Sequence, residues 1–234
     1  MNSLTSAVAW SRRFLTEIVQ PGDFVIDGTA GNGQDTLFLA EQVLPGGKVW
    51  AFDIQQKAID ATAARLKQSG YEAALWLNNL ESDDAELSSL NQPAQVMEPT
   101  AENGCLSSSE ICLFRCDHSR LAALLKAKDH PPLKGAIFNL GYLPGGDHTV
   151  VTQAETTVAA LEALAEELAF GGRIVVVVYV GHEGAEGEAA AVDNWWRNLS
   201  PKAWDTVSIQ YPNRTGRPPY VLVAEKKPLK GGCR

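Results

Sequence analysis

The sequence predicts a doubly wound α/β domain: a mostly parallel sheet of about seven strands whose last strand runs antiparallel. Three observations carry this. Short apolar runs alternate with segments of helical period from the first tens of residues onward. RIVVVVYV (173–180) is apolar at nearly every position, as a strand covered on both faces must be. A glycine-rich turn follows the first apolar run and an acid closes the second, the arrangement that lines a ligand crevice at the carboxyl edge of such a sheet.

Taken in order, Val8, Trp10, Phe14, Leu15 and Ile18 give an imperfect apolar helix face before Pro21-Gly22. FVID (24–27) is the first strand, followed by a turn and a helix from about Gln34 to Leu44 that Pro45-Gly46-Gly47 stops. KVWAFD (48–53) is the second strand. A helix from about Gln56 to Gln68 follows, with Ile59, Ala63 and Leu66 on one side and Gly70 at its end. ICLFR (111–115) is the third, a helix covers Leu121 to Lys128, and GAIFN (135–139) is the fourth. Thr152 with Glu155 fits a capping box ahead of a helix through Leu168, which Gly171-Gly172 ends. After the strand 173–180 come a helix near Ala189 to Leu199 and two strands, near Trp204 to Tyr211 and Tyr220 to Glu225, expected as an edge hairpin.

The length of 234 residues suits one domain, 1–234, and 45% apolar with 21% charged residues is ordinary globular composition. No apolar run approaches the roughly 20 residues of a membrane span, and no secretory series opens the chain. A cytoplasmic home is expected, with a plastid the alternative for a plant source. Cys105, Cys112, Cys116 and Cys233 form no CxxC pair, so reduced thiols are expected, without metal or disulfide. The net charge is −8, but seven acids and no Lys or Arg fall between Asn78 and Glu110, leaving −1 for the rest. That acidic stretch reads as a solvated insertion, and a basic patch elsewhere stays open. Oligomeric state is not legible, and a homodimer stays open.

Candidate site residues cluster at predicted strand ends. Asp27-Gly28-Thr29-Ala30-Gly31-Asn32-Gly33 follows the first strand, where glycines let a backbone approach a ligand closely. Asp53, ending the second strand, is placed to accept ribose hydroxyls. A dinucleotide would require its diphosphate on the next helix, yet Asp35 occupies that helix's first turn and would repel it. S-adenosylmethionine carries a sulfonium and an ammonium instead, so acids at Asp27 and Asp35 favour this methyl donor over NAD. Asn139-Leu140-Gly141-Tyr142 ends the fourth strand over the same crevice. There the Asn139 oxygen can accept an amine N–H, Gly141 can turn to expose a carbonyl, and Tyr142 can stack on a planar base. Asn213, Arg214 and Arg217 precede the last strand and can meet phosphates. His182 lies past the fifth strand with Glu188 six residues later, and can take a proton from an ammonium.

VIDGTAGNGQDTLFLA, VWAFDIQQKAI, FNLGYLPGGDHTVVT, YVGHEGAEGE and PPYVLVAEKK together resemble the YtqB-like rRNA methylase family, Rossmann-like class I S-adenosylmethionine-dependent methyltransferases. FNLGYLPGGD also resembles the Asn-Pro-Pro-Tyr signature of amino-group methyltransferases, with Leu140-Gly141 in place of the prolines. The resemblance implies a methyltransferase acting on RNA, with the aminomethyl group of 5-aminomethyl-2-thiouridine at the tRNA wobble position as acceptor and the anticodon region as partner. It assigns Asn32, Asp35, Asp53, Gln55 and His118 to cofactor contacts, with Asp27, Gly31 and Gly33 shaping the loop, and strand-end placement brings Asp117 toward the adenine amine. A small-molecule amine methyltransferase and an inactive cofactor-binding partner protein remain the alternatives.

Overall fold

In the computed structural model the described residues are 6–77, 110–127, 130–143, 145, 151–181 and 185–228. The acidic insertion, apart from Glu110, and His182 lie outside them. The elements are α1 (Ala7–Thr16), β1 (Phe24–Asp27), α2 (Gln34–Val43), β2 (Lys48–Phe52), α3 (Gln56–Gln68), β3 (Ala74–Leu77), β4 (Ile111–Arg115), α4 (Leu121–Ala127), β5 (Leu133–Leu140), α5 (Ala154–Glu167), β6 (Leu168–Val178), α6 (Ala185–Asn198), β7 (Trp204–Ile209) and β8 (Tyr220–Lys226). A 3-10 turn, His118–Arg120, leads into α4.

The sheet has eight strands in the order β3-β4-β2-β1-β5-β6-β8-β7. The pairs from β3 through β6 are parallel, β8 runs antiparallel to β6, and β7 pairs antiparallel with β8 at the edge as the expected hairpin. The expected count of seven is corrected by β3, four residues abutting the acidic stretch and too short to signal a period. Both sheet faces are covered, one by a core containing Phe24, Phe52, Phe138 and Leu161, the other by one containing Leu15, Leu39, Ile59 and Val177. No helix among the described residues is long and apolar enough to cross a membrane.

Strand order reverses between β1 and β5, and register fixes what meets there. Asp27 lies level with Ala51 of β2 and with Ile137 of β5. Asp53 and Asn139 therefore stand at one height, two residues further on, either side of the glycine loop. The capping box at Thr152 does not form: Gln153 is the N-cap of α5 and makes no side-chain cap bond, because the Thr152 hydroxyl is engaged elsewhere. Gly171-Gly172 sits inside β6, where a register shift absorbs it. Helix α1 is capped by Ser6 and tied to the sheet by Arg173, which donates to the Phe14 carbonyl and to Glu17 and Glu225.

Candidate active site

The loop after β1 is built from inside. Asp27 is wholly buried; its Oδ1 accepts the Thr29 amide at 3.1 Å and its Oδ2 the Thr36 hydroxyl at 2.7 Å. Burial first, then the charge of Asp35, pushes this carboxyl up to about 7. Gly28 has no room for a side chain, since a Cβ there would lie 2.1 Å from the Phe138 ring. Gly31 and Gly33 have φ of 54° and 73°, in the left-handed region, and a Cβ on Gly33 would meet the α3 backbone at Thr62. Helix α3 braces the loop from below: Arg65 donates to the Asn32 carbonyl at 2.6 Å and Thr62 to the Gly31 carbonyl at 3.2 Å.

Two cavities meet at this edge. The smaller is lined by Gly31, Phe52, Asp53, Ile54, Gln55, Cys116, Asp117, His118, Leu143 and neighbours. The larger is lined by Arg12, Asn32, Asp35, Tyr179, Arg217 and neighbours. Thr29, Gly31, Asn139, Gly141 and Tyr142 belong to both walls. Asp53 accepts the Gly31 and Gln55 amides, one on each oxygen, which leaves further lone pairs for a ligand's hydroxyls. Its pKa is raised, chiefly by burial. Ile54 is 50% exposed although apolar, a side chain offered to a flat ligand face. Cys116 is a free thiol that burial pushes up to about 12, so it is a neutral wall.

Asn139 is held at two points. Its amide donates to Thr29 Oγ1 at 2.7 Å and its Nδ2 to Asp35 Oδ2 at 2.7 Å, which turns Oδ1 into the group's remaining acceptor. Gly141 does not expose its carbonyl as expected: that oxygen accepts the Thr152 amide at 3.1 Å, while the Gly141 amide donates to Thr152 Oγ1 at 3.1 Å. The Leu140 carbonyl accepts from Tyr179. Thr152 in turn donates to Glu188 Oε2 at 2.6 Å, and Thr157 donates to Glu188 Oε1 at 2.7 Å. Glu188, 5% exposed, thus anchors the turn below Tyr142.

His118 lies with Nε2 3.3 Å from Thr157 Oγ1, its ring edge-on to Phe138 and bonded to the Gly28 backbone. Burial lowers its pKa, which keeps it neutral near pH 7. Asp117 caps the 3-10 turn through the Ser119 amide and borders the smaller cavity.

Of the residues expected at the site, Gly31, Asn32, Asp35, Asp53, Gln55, Asp117, His118, Asn139, Gly141, Tyr142 and Arg217 line these cavities. Asp27 and Gly33 stand behind the wall. Asp27 is buried, and Asp35, on the wall of the larger cavity, is bonded by Arg12 and Asn139. Asn213 and Arg214 are exposed and off both cavity walls, the Arg214 guanidinium lying 4.1 Å over the Tyr211 ring. Arg217 pairs with Glu186. Sequence reasoning missed Arg12, Ile54, Thr152 and Tyr179. Only Ile54, next to a strand-end acid, carried a local signal. Among the described residues no group of three or more His, Cys, Asp or Glu side chains could hold a metal.

The family model described as "Putative rRNA methylase" matches residues 92–225. Over 216 residues the chain is 30% identical to the chloroplastic tRNA (mnm(5)s(2)U34)-methyltransferase of Arabidopsis thaliana, covering 90% of this chain and 66% of that protein, just under two thirds of its length. A crystal structure described as a "putative rRNA-methylase" from Clostridium thermocellum matches with a TM-score of 0.74 at 29% identity, covering 94% of this chain and 97% of that one. A "putative methyltransferase" from Streptococcus mutans in complex with S-adenosylhomocysteine matches with a TM-score of 0.70 at 27% identity, covering 94% and 98%.

Proposed function

The chain belongs to the rRNA methylase family of class I S-adenosylmethionine-dependent methyltransferases, and we propose that it methylates the aminomethyl group of 5-aminomethyl-2-thiouridine at the wobble position of tRNA. The observation that carries this reading is the Asn139 carboxamide on the wall shared by both cavities, its NH2 turned toward Asp35 by a hydrogen bond and its oxygen left to accept. An acceptor amine needs an N–H acceptor beside it and no donor competing for its lone pair. Asn139 Oδ1 meets both conditions, and a hydrogen bond to it orients the nitrogen for an in-line approach. S-adenosylmethionine, when bound, supplies a methyl carbon already activated by its sulfonium.

The smaller cavity suits the nucleoside half of that cofactor. Asp53 would take the ribose hydroxyls, Ile54 and Leu143 the faces of the base, and Asp117 the adenine amine. In the larger cavity Tyr142, 39% exposed, offers a ring to the modified uracil, and Arg217 a cation to the anticodon backbone. The substrate named for the Arabidopsis relative supports the choice of acceptor. Radiolabelled methyl transfer tests it. Label is expected in tRNA bearing the aminomethyl group and not in tRNA lacking it, whereas label confined to small metabolites would replace this reading with an amine methyltransferase of metabolism.

A further inference from the structure

We propose that Arg12 and Asp35 are positioning residues, a charged pair that fixes the Asn139 carboxamide with its oxygen toward the acceptor and its NH2 away from it. The inference rests on the reading that Asn139 meets the acceptor amine, and it adds a reason for the orientation together with a residue, Arg12, that no motif marks.

An amide side chain can flip end for end, and the two ends have opposite hydrogen-bonding roles. Presented as oxygen, Asn139 accepts from an amine and leaves its lone pair free; presented as NH2, it would donate into that lone pair and block attack. The choice is made behind the side chain. An ionised carboxylate only accepts, and Asp35 Oδ2 lies 2.7 Å from Asn139 Nδ2, so a flipped amide would set oxygen against oxygen. Asp35 is 7% exposed, so its position is set by the groups that bond it. Arg12 Nε donates to Asp35 Oδ1 at 2.7 Å, which turns Oδ2 toward Asn139 and fixes the carboxylate there. The Asn139 amide bond to Thr29 Oγ1 fixes the backbone at the same point, so the side chain has little freedom besides the flip.

The three groups come from α1, the first turn of α2 and the end of β5, and α1 is itself anchored by Arg173. The N-terminal helix therefore does more than cover the sheet: it supplies the countercharge for the amide switch.

The test uses the full chain with Asp35→Asn, Arg12→Ala and Arg12→Lys. Turnover is measured on whichever acceptor the wild type methylates, and S-adenosylhomocysteine affinity is measured by calorimetry. Asp35→Asn and Arg12→Ala should lower kcat about tenfold to a hundredfold, and Arg12→Ala, which leaves the carboxylate on the cavity wall, should keep KM and cofactor affinity within about threefold of wild type. Arg12→Lys should recover most of the loss. Should Asp35→Asn fail to fold, Arg12→Ala, at a partly exposed position, carries the comparison. Unchanged kcat in a folded variant overturns the proposal, and so does a loss of cofactor affinity in Arg12→Ala that matches its loss of kcat, which would make the pair part of the cofactor site instead. A readout independent of any acceptor is proton exchange of the Asn139 side-chain NH2. It should be slow in the wild type and fast in Asp35→Asn; equally fast exchange in both refutes the pairing. If the wild type labels a metabolite rather than tRNA, the substrate reading falls while these ratios still report on Arg12 and Asp35.

Discussion

Replacing Asp27 with asparagine should remove a pH-dependent component of stability at the centre of the site. In the folded chain this carboxyl is wholly buried, and its pKa rises from the ordinary 3.8 to about 7 because desolvation and the Asp35 charge outweigh the Thr36 and Thr29 bonds that favour ionisation. The folded state therefore retains a proton that the unfolded chain loses at lower pH. The resulting contribution to stability is fully present below 3.8, declines as pH rises, and is gone above about 7. At 1.36 kcal/mol per pH unit, the interval sets an upper limit of ~4 kcal/mol. The substituted carboxamide cannot ionise, can still accept the Thr29 amide, and carries no such dependence. Acids remote from Asp27 titrate alike in both proteins and cancel in the difference, whereas Asp35 and Asp53, whose charges act on Asp27, leave a part of it. Urea unfolding at about pH 4 and about pH 8 should show the Asp27→Asn variant gaining several kcal/mol on the wild type at the higher pH, approaching that limit. A difference between the two proteins that stays constant across this range would refute the assignment of a protonated, buried Asp27.

Asn139→Ala should lower kcat by about a hundredfold, well beyond its effect on cofactor affinity, because the orienting acceptor is lost while the rest of the cofactor wall stays; a proportionate loss of S-adenosylhomocysteine binding in calorimetry contradicts this. Glu188→Ala strands the Thr152 and Thr157 hydroxyls and should cost about 2–4 kcal/mol in urea unfolding, with Glu188→Gln costing less; equal losses would show that the acceptor pair is not what matters. Gly28→Ala drives a methyl into the Phe138 ring and should cost at least about 1–3 kcal/mol, and Phe138→Leu in the same chain should recover part of it. Additive losses in the double variant would exclude the clash.

The frame of this fold was legible because its strands are buried on both faces and read as apolar runs: β1, β2, β4, β5, β6, β7 and β8 all announce themselves in this way or as an edge pair. β3 did not, being four residues long and joined directly to an acidic, aperiodic stretch. The site was legible where a motif sits at a strand end, as with Asp53 and Asn139, since register alone carries both to one height. It was not legible where function depends on contacts between distant elements. Arg12 meets Asp35 across 23 residues, and Thr152 meets Glu188 across 36, and nothing local marks either pairing. The charge argument from Asp27 and Asp35 pointed to the cofactor class borne by the family, yet both carboxylates are engaged within the protein. The crevice is shaped by their hydrogen bonds rather than by free negative charge.

The most direct test is nucleoside mass spectrometry of tRNA from cells with and without the gene, followed by addition of the purified protein and S-adenosylmethionine to the tRNA lacking the product. Loss of 5-methylaminomethyl-2-thiouridine, accumulation of the unmethylated aminomethyl nucleoside, and restoration of one methyl in vitro are the predicted results. An unchanged nucleoside profile, or a methyl restored at any other nucleoside, would contradict the account.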